Sequence, residues 1–381
     1  MTTNIPVLGM TVLAVSTAML QPAFAHKTVG PPPVLQCDGV TDNVAALNDG
    51  LAQGGIVTLP TGVCMTSGIV MVPRGTTLVG AGEGATTIRA FAGIQTPTLQ
   101  IMGTANVSNL TVDGGATQTF YGAPAIHVDP GSDGTVIHDL EALNAGDEGI
   151  SVESSHVQVL RTDSHDNWKS GIYVMGDALT GLRIYGVSVV SNTLSNNVRG
   201  LSLQGQPGDG IDIDTLTRDV TVQDNTVYDN DIILTEPGLI PDSQGGTVAT
   251  GHVVTGNQVI SSQKGGVSVE SYVNDFTISD NTVTNAVGLG IFVHGPATSG
   301  KVLANTVNAS TSNGITVASI PGSAPPDGML VNGNTVEGLA AEVASIVVSG
   351  GATNVTVTGN TVSTPIKTVG AGLGLVVKGN D

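Results

Sequence analysis

The sequence predicts an all-β fold, a single-stranded parallel β-helix solenoid, and three observations lead there. A phrase built on asparagine recurs along the second half of the chain: Ser-Asn-Thr-Leu at 191–194, Asp-Asn-Thr-Val at 224–227 and 280–283, Gly-Asn-Gln-Val at 256–259, Ala-Asn-Thr-Val at 304–307, and Gly-Asn-Thr-Val at 333–336 and 359–362. Its asparagines are 33, 32, 24, 24, 29 and 26 residues apart, a solenoid period lengthened in places by insertions. Each unit also carries two short apolar alternations, Gly-Ile-x-Val (149–152, 171–174, 290–293, 314–317) and Val-x-Val (220–222, 355–357), with Phe-Thr-Ile as a variant at 276–278. Period-two patterning bounded by Gly and Asn fits strands and leaves no room for a helix per unit. Units of 24 residues are too short for propeller blades, and a stack of them buries the apolar side that one unit cannot. The recurring Asn fits a turn where its amide meets backbone and the Asn one coil away.

Composition narrows the function. The 381 residues include 52 Gly, 12 Lys plus Arg and 31 Asp plus Glu, for a net charge of -19. No cationic cluster exists to follow a phosphate backbone, so nucleic acid is excluded as a partner. Val7 to Phe24 is apolar and ends in Ala23-Phe24-Ala25, so residues 1–25 read as a secretory signal peptide, although the leader lacks Lys and Arg. Residues 26–381 then form one domain in a secreted or periplasmic protein, with no later membrane span. In an exported chain Cys37 and Cys64 are expected to form one disulfide near the open amino-terminal end; the alternative is two buried thiols.

After a Pro-rich stretch at 31–33, the region 37–53 holds a short helix, with Thr41 or Asp42 as cap and Val44, Leu47 and Leu51 at helical spacing, which covers the end of the core. The strings Gly-Gly-Ile-Val-Thr-Leu-Pro-Thr-Gly (54–62) and Thr-Leu-Val-Gly-Ala-Gly-Glu-Gly-Ala-Thr-Thr-Ile (77–88) follow. Gly80 to Gly84 is no phosphate loop, because no Lys-Ser/Thr follows it. The run from Asp38 to Arg89 resembles the amino-terminal coils of the pectate lyase superfamily, pectin lyase-like proteins in which an Asp-Gly-x-Thr-Asp segment opens a capping helix. The resemblance implies a right-handed helix and a leaning toward carbohydrate. It does not fix a reaction, since lyases, hydrolases, epimerases and phage tail proteins share the architecture. Coils at 101–112, 135–160 and 171–190 carry the solenoid on, interruptions fall at 203–210, 235–250 and 318–328, and the coils at 343–381 look structural.

Outward positions of the Gly-Ile-x-Val strand form two columns. One holds Ser151, Tyr173, Ser202 or Asp212, Ser268, Phe292 and Thr316; the other holds Glu153, Met175, Gln204 or Asp214, Glu270, His294 and Ala318. Two strand-like stretches at 202–204 and 212–214 lie too close together to be successive coils, so the register there stays open. Tyr173, Phe292, His294, Glu270 and Glu153 are candidates for substrate contact. Trp168, the one Trp, reads either as a sugar platform or as a buried turn anchor.

Asp209-Gly-Ile-Asp-Ile-Asp is the sharpest local candidate. Asp212 and Asp214 share a face with Cα atoms roughly 6.6 Å apart, a spacing that suits an acid and base pair, and Asp209, Asp212 and Asp214 are candidate calcium ligands. The stretch loosely resembles the Asn-Thr-Asp-Gly segment of polygalacturonase-like glycoside hydrolases, which implies a catalytic role for Asp231 in Asp229-Asn-Asp231. Gly208 in place of Thr, Asn230 within the Asp pair and only a partial match at His252 depart from that pattern. A second cluster, Asp163-Ser-His-Asp-Asn-Trp-Lys-Ser-Gly-Ile-Tyr, supplies His165 and Lys169, and Arg199 adds a further cation. These suit proton abstraction from a uronate, His165 also being readable as an ordinary turn residue. Ser164 with His165 makes no hydrolytic triad, and His127, His138 and His156 lack zinc spacing.

Three functions follow as expectations. The first is a secreted enzyme cleaving polysaccharide in a groove along the helix by hydrolysis, with no required cofactor. The second is a calcium-assisted lyase or C5-epimerase for a uronate polymer such as pectate or alginate. The third is a non-enzymatic carbohydrate-binding solenoid. A monomer is expected throughout.

Overall fold

The structure is a computed structural model that describes residues 34–116, 122–177, 180–197, 208–236 and 249–381. The signal peptide read at 1–25, together with Arg199, Ser202 and Gln204, lies outside the described residues. The chain winds as a parallel β-helix. Each coil crosses three long sheets in turn, here called B, A and C after their order along it. Sheet B has 13 strands from Gly55–Thr58 to Val376–Lys378, sheet A has 13 from Asp38–Asp42 to Thr361–Val362, and sheet C has 12 from Val70–Val72 to Ile366–Val369. A fourth sheet of four short strands, from Ile184–Tyr185 to Val273–Asn274, lies in the turns between C and B. Every strand pair within these sheets is parallel, for example Ile150 beside Ile172 and Ile172 beside Ile211.

Alternation explains the core. In sheet C, Ile150, Val152, Ile172, Val174, Ile211 and Ile213 point inward and are fully buried, and Val189, Val222 and Val254 do the same from sheet B. The helix Val44–Leu51 lies at the amino-terminal end with Leu47 and Leu51 buried. Its N-cap is Asn43, not Thr41 or Asp42, and the Asn43 side chain makes no capping bond. Asp42 serves from one position earlier, its Oδ1 accepting the Val44 N–H at 3.1 Å. Cys37 and Cys64 form the expected disulfide beside this helix.

The corner from B to A contains the asparagines. Asn192, Asn225, Asn257, Asn281, Asn305, Asn334 and Asn360 stack in a ladder, each Nδ2 donating to the next Oδ1 at 2.8–2.9 Å while that Oδ1 also accepts a backbone N–H. Asn380, which the repeat phrase did not mark, is the last rung. The residue before each rung adopts positive φ, as at Ser191 (58°), Asp224 (53°), Ala304 (53°) and Gly333 (68°). Earlier coils that lack the signature place Leu110, Leu140 and Thr162 at the same corner, the two leucines extending the core outward.

The corner from A to C has a shorter ladder. Asn167 Nδ2 donates to Asn197 Oδ1 at 2.8 Å, and Asn197 N–H donates to Asn230 Oδ1 at 3.0 Å. Asn230 is therefore a structural rung, which accounts for an asparagine between Asp229 and Asp231. The turns that follow this corner lead straight onto the outward face of sheet C.

Candidate active site

Sheet C presents a groove floor whose register is now defined. Tyr173 pairs with Asp212, so the strand at this coil is Ile211–Ile213. The next coil, Ile232–Glu236, carries Ile233 beside Asp212 and Thr235 beside Glu270. The sequence columns omitted it, because Ile-Ile-Leu-Thr-Glu lacks the Gly-Ile-x-Val form. Ser268, Phe292 and Thr316 continue the first row, and Glu270, His294 and Ala318 the second.

At the centre, the Tyr173 hydroxyl donates to Asp214 Oδ2 at 2.7 Å. Asp214 Oδ1 accepts the Thr215 N–H at 2.6 Å and the Thr215 hydroxyl at 2.9 Å, so both oxygens are committed. Lys169 reaches in from the A-to-C turn. Its Nζ lies 5.0 Å from the centroid of the Tyr173 ring, donates to Glu148 Oε1 at 2.6 Å and sits 3.6 Å from Asp147 Oδ1. Burial works to lower the Lys169 pKa, but Glu148 and Asp147 prevail and hold the ammonium above the usual lysine range. Burial, then the Asp214 and Asp212 charges, push the Tyr173 phenol up, so it stays protonated. Asp212 is half-buried, with Oδ1 enclosed and without a hydrogen-bond partner. Burial first, then Asp209 and Asp214, push its carboxyl well above the usual range. Asp147 is raised to about 7 by burial and by Glu148.

One coil on, Lys264 Nζ donates to Asp209 Oδ1 at 2.8 Å. Asp231 is 1 % exposed, and neither of its oxygens receives an N–H or hydroxyl donor. Its neighbour is the Asp209 carboxyl. Burial and Asp209 raise it well above the ordinary range. Further along, His294 Nε2 lies 3.6 Å from Glu270 Oε1, and the Phe292 and His294 ring centroids are 4.5 Å apart. The His294 contact holds Glu270 below its usual range. A cleft of about 230 Å³ opens here, lined by Asp231, Lys264, Ser268, Glu270, Leu289 and Phe292. Toward the amino-terminal end, His127 stands between Glu153 Oε1 at 3.2 Å and Asp129 Oδ1 at 3.4 Å.

Several candidates lie elsewhere. His165 is on sheet A, between Glu141 Oε1 at 3.0 Å and Asp166 Oδ2 at 2.9 Å, and the Glu141 bond raises it to about 9. Three residues of turn separate it from Lys169, and it faces a different side of the helix. Trp168 is half-buried in that turn, its backbone N–H donating to Ala145 at 3.2 Å. His252 is buried, accepts the Val220 N–H and has its pKa lowered to about 3 by burial and Arg183, as befits a neutral structural histidine. The proposed calcium set does not converge: Asp209 is engaged by Lys264, and Asp214 by Tyr173 and Thr215. Among the described residues no group of three or more His, Cys, Asp or Glu side chains is placed to hold a metal ion.

Sequence reasoning missed Asp147, Glu148 and Lys264. A signal was present, because charged residues recur just before the glycine that opens the sheet C strand, as in Glu148-Gly149, Asp209-Gly210 and Lys264-Gly265.

A stacked parallel solenoid with one sheet face gathering carboxylates, lysines, a tyrosine and a phenylalanine is a β-helix protein with an acidic surface groove. The chain belongs to the right-handed β-helix family, whose model, described as "Right handed beta helix region", matches residues 99–269 and 218–381. No curated protein matches the chain. Among solved structures it is similar to the mannuronan C-5 epimerase AlgE6 A-module of Azotobacter vinelandii, at 18% identity and TM-score 0.70, over 90% of this chain and 97% of that one. It is also similar to PfbA, a surface adhesin of Streptococcus pneumoniae, at 13% identity and TM-score 0.58 over 91% of each chain. The N-terminal fragment of bacteriophage phi29 gene product 12 follows at 15% identity and TM-score 0.59, over 91% of this chain and 70% of that one. At these identities the likeness is one of fold. Among the described residues no helix is long and apolar enough to cross a membrane.

Proposed function

We propose that the chain is an extracellular enzyme acting on a uronate polymer, and that its first step removes the proton at C5, next to the sugar carboxylate. The observation that carries this reading is the Tyr173–Asp214 hydrogen bond with Lys169 above the ring and Asp212 on the adjoining strand. A glycosidase working through Asp212 and Asp214 needs two available carboxyls, and Asp214 has none to offer because both its oxygens position other groups.

The roles follow from charge. Lys169 stays an ammonium, which disqualifies it as base and suits it to meet the substrate carboxylate and the negative charge that develops when C5 loses its proton. Asp212, whose Oδ1 has no hydrogen-bond partner while both oxygens of Asp214 are engaged, takes the C5 proton. Tyr173 stays a phenol and serves as proton donor. The electron pair of the broken C5–H bond forms a C4–C5 double bond as the C4–O bond breaks, and the leaving oxygen takes the Tyr173 proton. Asp212 and Tyr173 rise from neighbouring strands of one floor, an arrangement suited to proton removal and delivery from the same side, hence elimination. Epimerisation requires a donor on the opposite face of the ring. The fold likeness to a mannuronan C-5 epimerase lends support to the substrate class. No step is routed through calcium, since the described carboxylates do not form a ligand set.

Hydrolysis stands as the second reading because of one specific feature, a second pair of neighbouring carboxyls, Asp209 and the buried Asp231, one coil away. The test is incubation in D2O with polymannuronate, polyguluronate, polygalacturonate and a neutral glucan. Unsaturated-uronate absorbance is expected with a uronate polymer. Deuterium at C5 in chains of unchanged length would replace elimination by epimerisation within the same reading. New reducing ends without absorbance would overturn it in favour of hydrolysis at Asp209 and Asp231. Retention of polymer with no chemical change would make the chain a binding solenoid.

A further inference from the structure

The groove wall is broken at one coil, and the break is a consequence of chain length. In three other coils four residues separate the A-to-C corner from the sheet C strand, Trp168–Gly171 between Asn167 and Ile172, Gln263–Gly266 between Ser262 and Val267, and Val287–Gly290 between Ala286 and Ile291, whereas the coil just before has thirteen, 198–210 between Asn197 and Ile211, of which 198–207 lie outside the described residues. Between Asn230 and Ile232 there is one, Asp231. Three residues of wall are missing, and the cleft of about 230 Å³ lies beside the gap.

The residue left there breaks a second regularity. In the strand register Asp231 falls where the three preceding coils carry Gly149, Gly171 and Gly210 and the three following carry Gly266, Gly290 and Gly314. Glycine is required by packing: a Cβ on Gly266 or Gly290 would come within 2.3 Å of the Val283 or Val307 side chain. At 231 the shortened turn admits a carboxyl. It is 1 % exposed and neither of its oxygens has a hydrogen-bond partner, an arrangement that costs stability unless something else bonds to it. Among the described residues around it are an apolar surface, from Leu289 and Phe292, and the cation Lys264, whose side chain is a quarter exposed.

We propose that this notch is a subsite that seats a uronate residue farther along the same polymer than the reacting one. Lys264 meets its carboxylate and Phe292 lies against its ring, with the Asp231 carboxyl enclosed beneath them. The inference rests on the uronate-polymer reading of the same groove. Its distance from the reacting centre is set by strand spacing, since Ser268 at the notch is two strands from Asp212, roughly 10 Å at about 4.8 Å per strand. Ile233, which is buried, lies between them in the strand register.

The test is calorimetric titration of the intact chain and of Lys264→Met, Lys264→Arg and Phe292→Ala with a mannuronate hexamer and with the same hexamer reduced to its neutral hexose form. Lys264→Met is expected to weaken the uronate hexamer about tenfold and to leave the neutral one unchanged, with Lys264→Arg restoring most of the loss. Phe292→Ala is expected to weaken both. Thermal melts establish that each variant is folded, and Lys264→Arg with Phe292→Ala carry the test if Lys264→Met is not. Equal binding of the uronate hexamer by the chain and both Lys264 variants overturns the subsite. If the uronate polymer is still converted by the chain in that case, the parent reading survives and the subsite alone fails. If the chain converts no uronate polymer, and binds only the neutral hexamer or neither, both fail.

Discussion

The two polar corners of the solenoid follow opposite rules. At the B-to-A corner every asparagine from Asn192 to Asn360 is buried and its amide is matched by the next, so that polar atoms inside the stack cost little and lock the coils in register. At the A-to-C corner the ladder has three rungs, and beyond it the turns deliver Glu148, Lys169, Asp209, Asp231 and Lys264 to one groove. There the groups are unevenly satisfied, with Asp231 and one oxygen of Asp212 lacking donors. The same repeat spends its polar residues on stability at one corner and leaves them for a ligand at the other.

The sharpest way to break this contrast is to neutralise one residue at each corner. Asp212→Asn is expected to lower turnover of a uronate polymer by about 10²- to 10⁴-fold, the usual worth of a positioned general base. Its melting temperature should hold or rise, because the amide removes a charge that burial disfavours. A melting temperature that falls while activity persists would place Asp212 among the structural residues. Tyr173→Phe should reduce turnover by a smaller factor, with the fold retained, and leaves Asp214 Oδ2 without its donor.

The counterpart is Asn281→Ala, in the middle of the long ladder. It removes the donor to Asn305 and the acceptor for Asn257, leaving buried groups unmatched, and should cost about 1–3 kcal/mol in chemical denaturation. Turnover per folded molecule should not change. Equal loss of activity and stability would mean that the corners are coupled.

The corners should also differ with pH. Amides do not titrate, so the Asn281→Ala deficit is expected to be constant between pH 4 and 8. Asp147 behaves otherwise: its folded pKa of about 7 lies above an unfolded value of about 3.9. The folded state holds this proton more tightly, so the contribution of Asp147 is fully present below pH 4 and is lost as pH rises through 7. His252, lowered to about 3, acts in the opposite sense and loses stability as pH falls below about 6.5. The difference between the chain and Asp147→Asn across this range isolates the first effect. A flat difference would show that the carboxyl is not held protonated.

This contrast also explains what the sequence could show. The ladder, two of the three strands per coil and their buried faces were legible because they repeat, and Asn192 to Asn360 announce themselves by spacing alone. Asn380 escaped because Gly-Asn-Asp at the end lacks the Thr-Val that follows the other rungs. The groove was legible only in part. Tyr173, Asp212 and Asp214 stand out on an outward alternation, but their register needed a neighbour strand, and Ile232–Glu236 has none of the repeat's signs. Lys169 was visible as a scarce cation, whereas its partners Asp147 and Glu148 looked like any polar turn. Asp231 was noticed for an analogy with a paired-Asp motif. Its oddity, a carboxyl in a column of glycines beside a shortened turn, exists only once the coils are aligned in space.

The smallest effect tests the regular corner at its least suited residue. Ala304 precedes the rung Asn305 and holds φ at 53°, where the equivalent residues at 256, 333, 359 and 379 are glycine. A left-handed conformation costs an L-residue with a Cβ roughly 1–2 kcal/mol, while glycine costs about 0.4–1 kcal/mol more to order from the unfolded chain. The first term wins, so Ala304→Gly should stabilise the chain by about 0.5–1 kcal/mol, measured as a denaturant midpoint. Its activity should be unaltered, since the B-to-A corner lies away from the groove. A destabilised variant would mean that the Ala304 methyl contributes packing that outweighs its strained backbone, and that the ladder corner is held by its side-chain neighbours as well as by its amides.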